Sequence, residues 1–241
     1  MDKSRNKFLR ETSASYSEFD EVSSNYEKHL GRGLSLSGEN SCYFARRRIE
    51  HMFSIGKSDS GCRAIMDFGS GTGGSVGDLL EIFRPKTLTA VDVSEQSLKI
   101  LKGNYNTPRV IIESPSSLHP NSNFDFCFTN GVFHHIPPSE RKQNAKIIYD
   151  SIKSGGHLYF WENNPWNPAT HWVMSRILFD QNAIKVFPHQ AVKLLHEVGF
   201  QVELIHYLFI FPNFLRLFRP LEKLMKNFPI GCQYLLLAKK P

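Results

Sequence analysis

Apolar positions along the chain fall into two rhythms. Between residues 63 and 162, short unbroken apolar runs alternate with longer stretches in which apolar residues recur every three or four positions. The runs predict buried strands over 63–68, 87–93, 109–112, 124–129 and 157–161. The longer stretches predict helices over 75–83, 94–104 and 140–152. Strands and helices of these lengths in alternation imply βαβ units and a parallel sheet. Before residue 63 the chain is polar and punctuated by Ser, Gly and Asn, with one helical stretch over 41–53. After residue 162 a Pro/Asn-rich stretch leads into an aromatic, basic segment that pattern alone does not assign. A helix over 190–198 then ends at Gly199, the residue type that suits a left-handed C-cap. Strands follow over 200–211 and 233–238. Between them Phe214, Leu215, Leu217, Phe218, Leu221, Leu224 and Met225 recur at helical spacing, with Arg216, Arg219, Lys223 and Lys226 interspersed. That spacing predicts a helix with one oily face edged by positive charge. The expected plan is an N-terminal helical lid over 1–62 and an α/β domain over 63–241, with insertions at about 163–187 and 212–230.

Composition narrows the class without naming a function. At 241 residues and 41% apolar, the chain can bury a substantial core. No stretch approaches the roughly 20 consecutive apolar residues of a membrane span. Cys42, Cys62, Cys127 and Cys232 lie far apart and form no C-x-x-C pair, which leaves a disulfide framework or zinc site unsupported. With the polar residues 1–7, this sets the expectation of a reduced, cytoplasmic protein. The net charge of +6 comes from short clusters such as Arg46-Arg47-Arg48, and no nucleic-acid-binding signature accompanies it. The expected partner is a small molecule, not a nucleic acid.

The most informative segment is Asp67-Phe68-Gly69-Ser70-Gly71-Thr72-Gly73-Gly74, between a predicted strand and a predicted helix. Glycines there allow a tight turn and let backbone approach a ligand closely. Gly69, Gly71 and Gly74 satisfy the dinucleotide pattern G-x-G-x-x-G. Asp67 with Gly69, Gly71 and Gly73 satisfies D-x-G-x-G-x-G, a different nucleoside site. Asp92 ends the next predicted strand, 92 − 73 = 19 positions beyond Gly73. A carboxylate so placed suits the hydroxyls of a ribose, and it also suits a helix cap. Asn130 and Gly131 follow the strand over 124–129 and open a polar loop, Asn130-Gly131-Val132-Phe133-His134-His135-Ile136-Pro137, beside the crevice where open α/β sheets bind ligands.

These segments together resemble the class I S-adenosylmethionine-dependent methyltransferases, small-molecule type. Asp67–Gly73 is similar to the first motif of that family, Asp92 to its ribose acid and 124–137 to its motif after the fourth strand. Lys153–Leu158 is similar to the turn into its fifth strand. The resemblance implies a doubly wound, Rossmann-like, seven-stranded sheet with the last strand antiparallel. It implies S-adenosylmethionine as cofactor, held by Asp67, Gly69, Ser70, Gly71, Gly73, Asp92, Val93, Asn130 and Gly131. One position departs from the family: where an acidic residue often meets the adenine amine, this chain places Ser114, with Glu113 adjacent. A serine hydroxyl accepts less strongly than a carboxylate.

The expected reaction is methyl transfer to a hydroxyl of a natural product, sugar or lipid-linked compound. N- or C-methylation, a nicotinamide-dependent oxidoreductase and a non-catalytic cofactor-binding subunit are the alternatives. A hydroxyl acceptor requires a base, and histidine suits neutral pH. His134 is the first candidate and His135 the reserve. On a helix, adjacent residues point about 100° apart, so one of the pair faces the pocket and neither spacing nor direction favours a shared metal. No metal is expected. Glu162, ending the fifth predicted strand, can orient a histidine or bind a substrate hydroxyl; alternatively it is a solvated loop carboxylate. Tyr16, Phe19, Tyr26, Tyr43 and Arg47 are candidates for lining the substrate entrance or reaching the cofactor's carboxylate, which an arginine fork suits; Arg46–Arg48 are otherwise a solvated helix face. For the segment after Pro212, pocket cover or contact with a second copy ranks first and peripheral membrane contact second.

Overall fold

The computed structural model describes residues 34, 37–56, 63–118, 123–177, 180 and 183–241. Among these residues the elements follow in the order α1 (Ser41–Ile55), β1 (Ala64–Phe68), α2 (Val76–Ile82), β2 (Thr87–Val91), α3 (Glu95–Asn104), β3 (Val110–Glu113), β4 (Phe124–Asn130), α4 (Pro138–Ser151), β5 (Ile152–Asn163), α5 (Pro168–Arg176), α6 (Pro188–Val198), β6 (Gln201–Leu208), a 3-10 helix (Asn213–Leu221), α7 (Glu222–Met225) and β7 (Gln233–Lys239). The strands form one seven-stranded sheet in the order β3-β2-β1-β4-β5-β7-β6. The pairs β1–β2, β1–β4, β2–β3 and β4–β5 are parallel, and β7 runs antiparallel to both β5 and β6. The doubly wound sheet with a reversed last strand is as the sequence predicts.

Two apolar layers cover the sheet, and strand alternation decides which residue enters which. Ile65, Phe126, Phe128, Tyr159, Trp161, Leu235 and Leu237 face one way, against Ile49 and Met52 of α1, Val76 and Leu79 of α2 and Leu101 of α3. Met66, Cys127, Leu158, Phe160, Tyr234, Leu236 and Ala238 face the other, against Ala145 and Ile148 of α4 and Ala191, Leu195 and Val198 of α6. Burial on both faces is why these strands read as continuous apolar runs.

The polar ends of the elements are set locally. Asn40 caps α1 by accepting from the Tyr43 N–H, and Ser94 caps α3 by accepting from the Ser97 N–H. Gly199 ends α6 with φ +109°. α5, in the segment that pattern left unassigned, begins at Asn167-Pro168; the Asn167 side chain accepts from the Ala169 and Thr170 N–H groups. That Asn-Pro start signal is readable in the sequence.

Two predicted elements differ. The strand expected over 200–211 ends at Leu208, because Phe209 takes φ +63° and turns the chain out of the sheet. The segment after Pro212 is a 3-10 helix followed by one α-turn, not one amphipathic α-helix. Pro220 within it has no N–H to donate, which disfavours a continuous α-helical ladder. Its oily face also stays open: Phe214, Leu217, Phe218, Leu221 and Leu224 are all exposed. Of the N-terminal lid, α1 is seen against α2 and the sheet; Tyr16, Phe19 and Tyr26 lie outside the described residues, as does Cys62.

Candidate active site

The carboxyl ends of β1, β2 and β4 open into a cavity of about 1850 Å³. A site for one drug-sized ligand usually measures roughly 300–1,000 Å³, so there is room for a cofactor and a second molecule. Asp67, Gly69, Ser70, Gly71, Asp92, Val93, Ser114, Asn130 and Gly131 all line it; Gly73 does not.

The glycine loop is held by its neighbours. The Gly69 and Ser70 N–H groups donate to the Val91 carbonyl at 2.7 and 3.0 Å. Gly69 has φ +80°, and a Cβ there would lie 2.2 Å from Val132 Cγ2, so this glycine serves the close passage of the β4 loop. Gly71, at φ +53°, is different: a Cβ there meets nothing within 4 Å. Its open side is cavity. Gly73 turns toward Tyr105 instead, where a Cβ would lie 2.9 Å from the ring, so its role is in packing.

Asp92 accepts from the Gly71 N–H at 2.7 Å and the Ser94 N–H at 2.9 Å. It therefore ties the glycine loop to the end of β2 and faces the cavity as well, the two roles the sequence offered. An ionised carboxylate accepts at about four lone-pair sites, so ligand hydroxyls also fall within its chemistry. Asp67 is buried, and its Oδ2 has no hydrogen-bond partner. Burial, and then the proximity of Asp92, push its pKa up to about 8, with Arg48 partly offsetting them. The Asn130 Oδ1 is likewise buried without a partner. The Ser114 hydroxyl lies within 2.8 Å of Ser116 Oγ and 3.2 Å of Ser117 Oγ, a small hydroxyl cluster at the end of β3.

The three N-terminal arginines separate. Arg46 pairs with Glu50, Asp78 and Glu81, and Arg47 with Glu50, both at the surface. Arg48 is buried, donates to Gln233 Oε1 at 2.9 Å and lines the cavity. The sequence reading proposed Arg47 for this place. The signal for Arg48 was present: it shares the buried face of α1 with Ala45, Ile49 and Met52.

The histidine pair sits on a turn after β4, so the helical divergence expected of adjacent residues does not apply. The two rings lie 4.0 Å apart between centroids, and the Nε2 atoms of both are 3.3 Å from Asp180 Oδ1. His134 Nδ1 is 2.6 Å from Glu162 Oε2, while Glu162 Oε1 accepts from the Phe133 N–H at 2.7 Å and the His134 N–H at 3.3 Å. Glu162 is 1% exposed, so it is no solvated loop carboxylate. It lies behind His134 and orients it; the residues lining the cavity include both histidines and Asp180.

The electrostatics divide the pair. Burial pulls the His134 pKa down, but Glu162 and Asp180 more than offset this and hold it at about 10. His134 is thus an imidazolium between two carboxyl groups. Burial, and then that neighbouring ring, push His135 below its ordinary value despite Asp180. Burial raises Asp180, but the two imidazoles outweigh it and bring its pKa to about 2. The ligating atoms of His134, His135 and Asp180 lie within 4.8 Å of one another, close enough for a cation. The His134 ring already supplies the positive charge there. Asp180 was missed from the sequence because it falls in the unassigned insertion, distant in sequence from the pair it meets.

A family model described as a methyltransferase domain matches residues 66–160. A curated relative, phosphoethanolamine N-methyltransferase 3 of Arabidopsis thaliana, is 26% identical over 62% of this chain, and the chain spans about a third (32%) of that protein's length. Among solved structures, a SAM-dependent methyltransferase from Thermotoga maritima superposes with a TM-score of 0.66 at 17% identity, covering 94% of this chain and 100% of that one. Another, from Archaeoglobus fulgidus, gives 0.62 at 19% identity, covering 83% and 95%. The residues present fit S-adenosylmethionine. Gly71 leaves space for a nucleoside, Asp92 is a carboxylate on the cavity wall of the kind that receives ribose hydroxyls, and the unpartnered oxygens of Asp67 and Asn130 suit a ligand bearing an amino group. Over residues 66–160 the chain matches a methyltransferase domain, and its fold is the one shared by those SAM-dependent methyltransferases of known structure.

Proposed function

We propose that this protein methylates a hydroxyl group of an apolar small molecule, with His135 as the base. The observation that carries this reading is the His135–Asp180 pair on the wall of the cofactor cavity. Bound there, S-adenosylmethionine would supply the methyl group, its C–S bond breaking as the C–O bond forms and the electron pair staying on sulfur. The chain's own part is to align the acceptor, exclude water and take its proton. His135 is suited to the last task, since its lowered pKa leaves it neutral near pH 7. The proton passes to the His135–Asp180 pair, where the carboxylate stabilises the imidazolium that forms. His134, the first candidate by sequence, is already protonated and has no capacity to accept. It and Glu162 act as positioning residues. The cavity lining also includes Phe44, Trp172, Met174, Ile177, Phe209 and Phe214, which suits an oily acceptor.

An amine acceptor is the second reading, favoured by the N-methyltransferase relative. An amine that is already neutral needs no base. Turnover on paired hydroxyl- and amine-bearing apolar compounds separates the two. With a hydroxyl acceptor, His135→Ala is expected to lower kcat by about 10²–10⁴-fold while S-adenosylhomocysteine affinity holds. Methylation of amines alone, undiminished in His135→Ala, would overturn the hydroxyl reading.

A further inference from the structure

The segment from Asn213 to Ile230 leaves its oily residues in solvent. Phe214 is 79% exposed, Leu217 87%, Leu224 77% and Phe228 60%; Phe218, Leu221 and Ile230 are exposed beside them. A soluble monomer rarely leaves so many large apolar side chains together, and such patches mark a contact surface. The arrangement follows from local geometry. Phe214, Leu217, Leu221 and Leu224 follow one another at three or four positions along the kinked 3-10 helix and the α-turn after it, and all four are exposed.

The charges within the segment are one-sided. Arg216 and Lys223 are exposed. Its one acid, Glu222, is half-buried, and its Oε1 accepts from the Ile210 and Phe211 N–H groups at 3.1 and 2.9 Å. Arg219 is turned inward to Glu39 at 2.9 Å and lies over the Tyr43 ring. Within this segment the outward surface is therefore apolar and positive, without a negative counterpart. A second copy docked on the same surface by two-fold symmetry would bring like charges toward each other. An anionic lipid surface complements both properties at once. The same segment also forms part of the cavity wall: Phe214, Arg219 and Glu222 line it, and Phe211 and Pro212 line it just before the segment begins.

We propose that the 213–230 face docks on an anionic membrane surface, so that the cavity opens toward the lipid from which an oily acceptor enters. The docking stands by itself; the acceptor's entry from lipid rests on the reading of an apolar substrate given above. No helix among the described residues is long and apolar enough to cross a membrane, so the contact is peripheral.

Co-sedimentation of the full chain with vesicles tests the docking, without cofactor or acceptor. The probes are phosphatidylcholine alone and phosphatidylcholine with about 30% phosphatidylglycerol, each at low salt and at about 0.5 M NaCl. Binding to the anionic vesicles, weakened by salt, is expected. Arg216→Glu with Lys223→Glu should lower it about tenfold or more, and Leu217→Asp with Leu224→Asp should abolish it. None of these four residues lines the cavity, so S-adenosylhomocysteine binding by calorimetry should be unchanged and shows that each variant is folded. Wild-type protein that binds S-adenosylhomocysteine but not anionic vesicles at low salt would overturn the proposal. So would a dimer in sedimentation that Leu217→Asp dissociates, with no vesicle binding. Vesicle binding by a protein that methylates only water-soluble amines would leave the docking standing and remove the substrate reading instead.

Discussion

Asp67 and His134 are both protonated where an isolated side chain of their kind would not be, and for opposite reasons. Asp67 lacks a partner and is neutral; His134 has two carboxyl partners and is charged. Both raised values act on stability with the same sign. The unfolded carboxyl releases its proton near 3.8 and the folded one near 8, so stability falls as pH rises between those values. His134 adds to the fall above pH 6.5, up to about 10. Replacing Asp67 by Asn removes the first contribution only. Thermal melts of the cofactor-free protein should therefore fall less from pH 6.5 to 8 in Asp67→Asn than in wild type. Calorimetry should at the same time show weaker S-adenosylmethionine binding, by up to about 1.5–3 kcal/mol, the range for a hydrogen bond to a charged group. Identical pH dependence in the two proteins would show that the carboxyl is ionised in the fold. At this scale the sequence was legible for residue type and place, as with Asp67 and Asp92. It was not legible for protonation, because burial and the distance to Arg48, Asp92 or Asp180 are properties of the folded chain.

Within single elements, local backbone demands decide what a substitution does. Gly69 and Gly71 both have positive φ, but their surroundings differ. Gly69→Ala drives a Cβ into Val132 and is expected to lower the melting temperature markedly, since both backbone and neighbour must shift. Gly71→Ala meets open cavity, so its cost is only that of a left-handed residue, roughly 1–2 kcal/mol. It should fold yet lose most of its S-adenosylhomocysteine affinity. Equal affinity in Gly71→Ala and wild type would show that no ligand approaches this loop.

The docking of α1 on the sheet carries a pH dependence of its own. His51 Nε2 lies 3.0 Å from His206 Nδ1, and His51 meets the Trp161 ring edge to face. Burial, and then His206, Lys226 and Arg47, push His51 down to about 3; burial and Lys226 push His206 to about 4. These groups stabilise the fold in their neutral form, above the unfolded value of 6.5. The contribution is lost as pH falls from 6.5 toward 3. His51→Phe should lose less stability than wild type in melts between pH 6.5 and 4. A parallel decline would show that the pair is not buried neutral. The start of α1 at Asn40 and the end of α6 at Gly199 were readable from single residues. The end of β6 at Leu208 was not, since Phe209 is an apolar residue in a conformation its type rarely adopts.

On the scale of the whole molecule, the cavity unites residues from both ends of the chain, from Arg48 on α1 to Gln233 on β7. A ligand that binds only the folded state stabilises all of it. At a concentration about 100 times its Kd, S-adenosylhomocysteine should add about 2.7 kcal/mol, raising the melting temperature by roughly 5–10 °C. NAD at the same concentration should leave it unchanged. A larger shift with NAD would reassign the glycine loop to a dinucleotide.

The alternation of strands and helices from β1 to β5, the two-sided burial of the sheet and the glycine loop with Asp92 were determined by the sequence itself. These follow from apolar periodicity and from residues whose backbone or side chain suits few places, which are local properties of the chain. What only the tertiary structure decided was who meets whom. Asp180 arrives beside His134 and His135 from 45 positions or more away, Arg48 faces the cavity where Arg47 does not, and the row from Phe214 to Leu224 stays in solvent. An amphipathic pattern is the same whether its oily face ends up covered or bare, and a histidine's spacing does not say which carboxylate it will find. Those outcomes depend on distances that close only when the sheet, its helices and its insertions have come together.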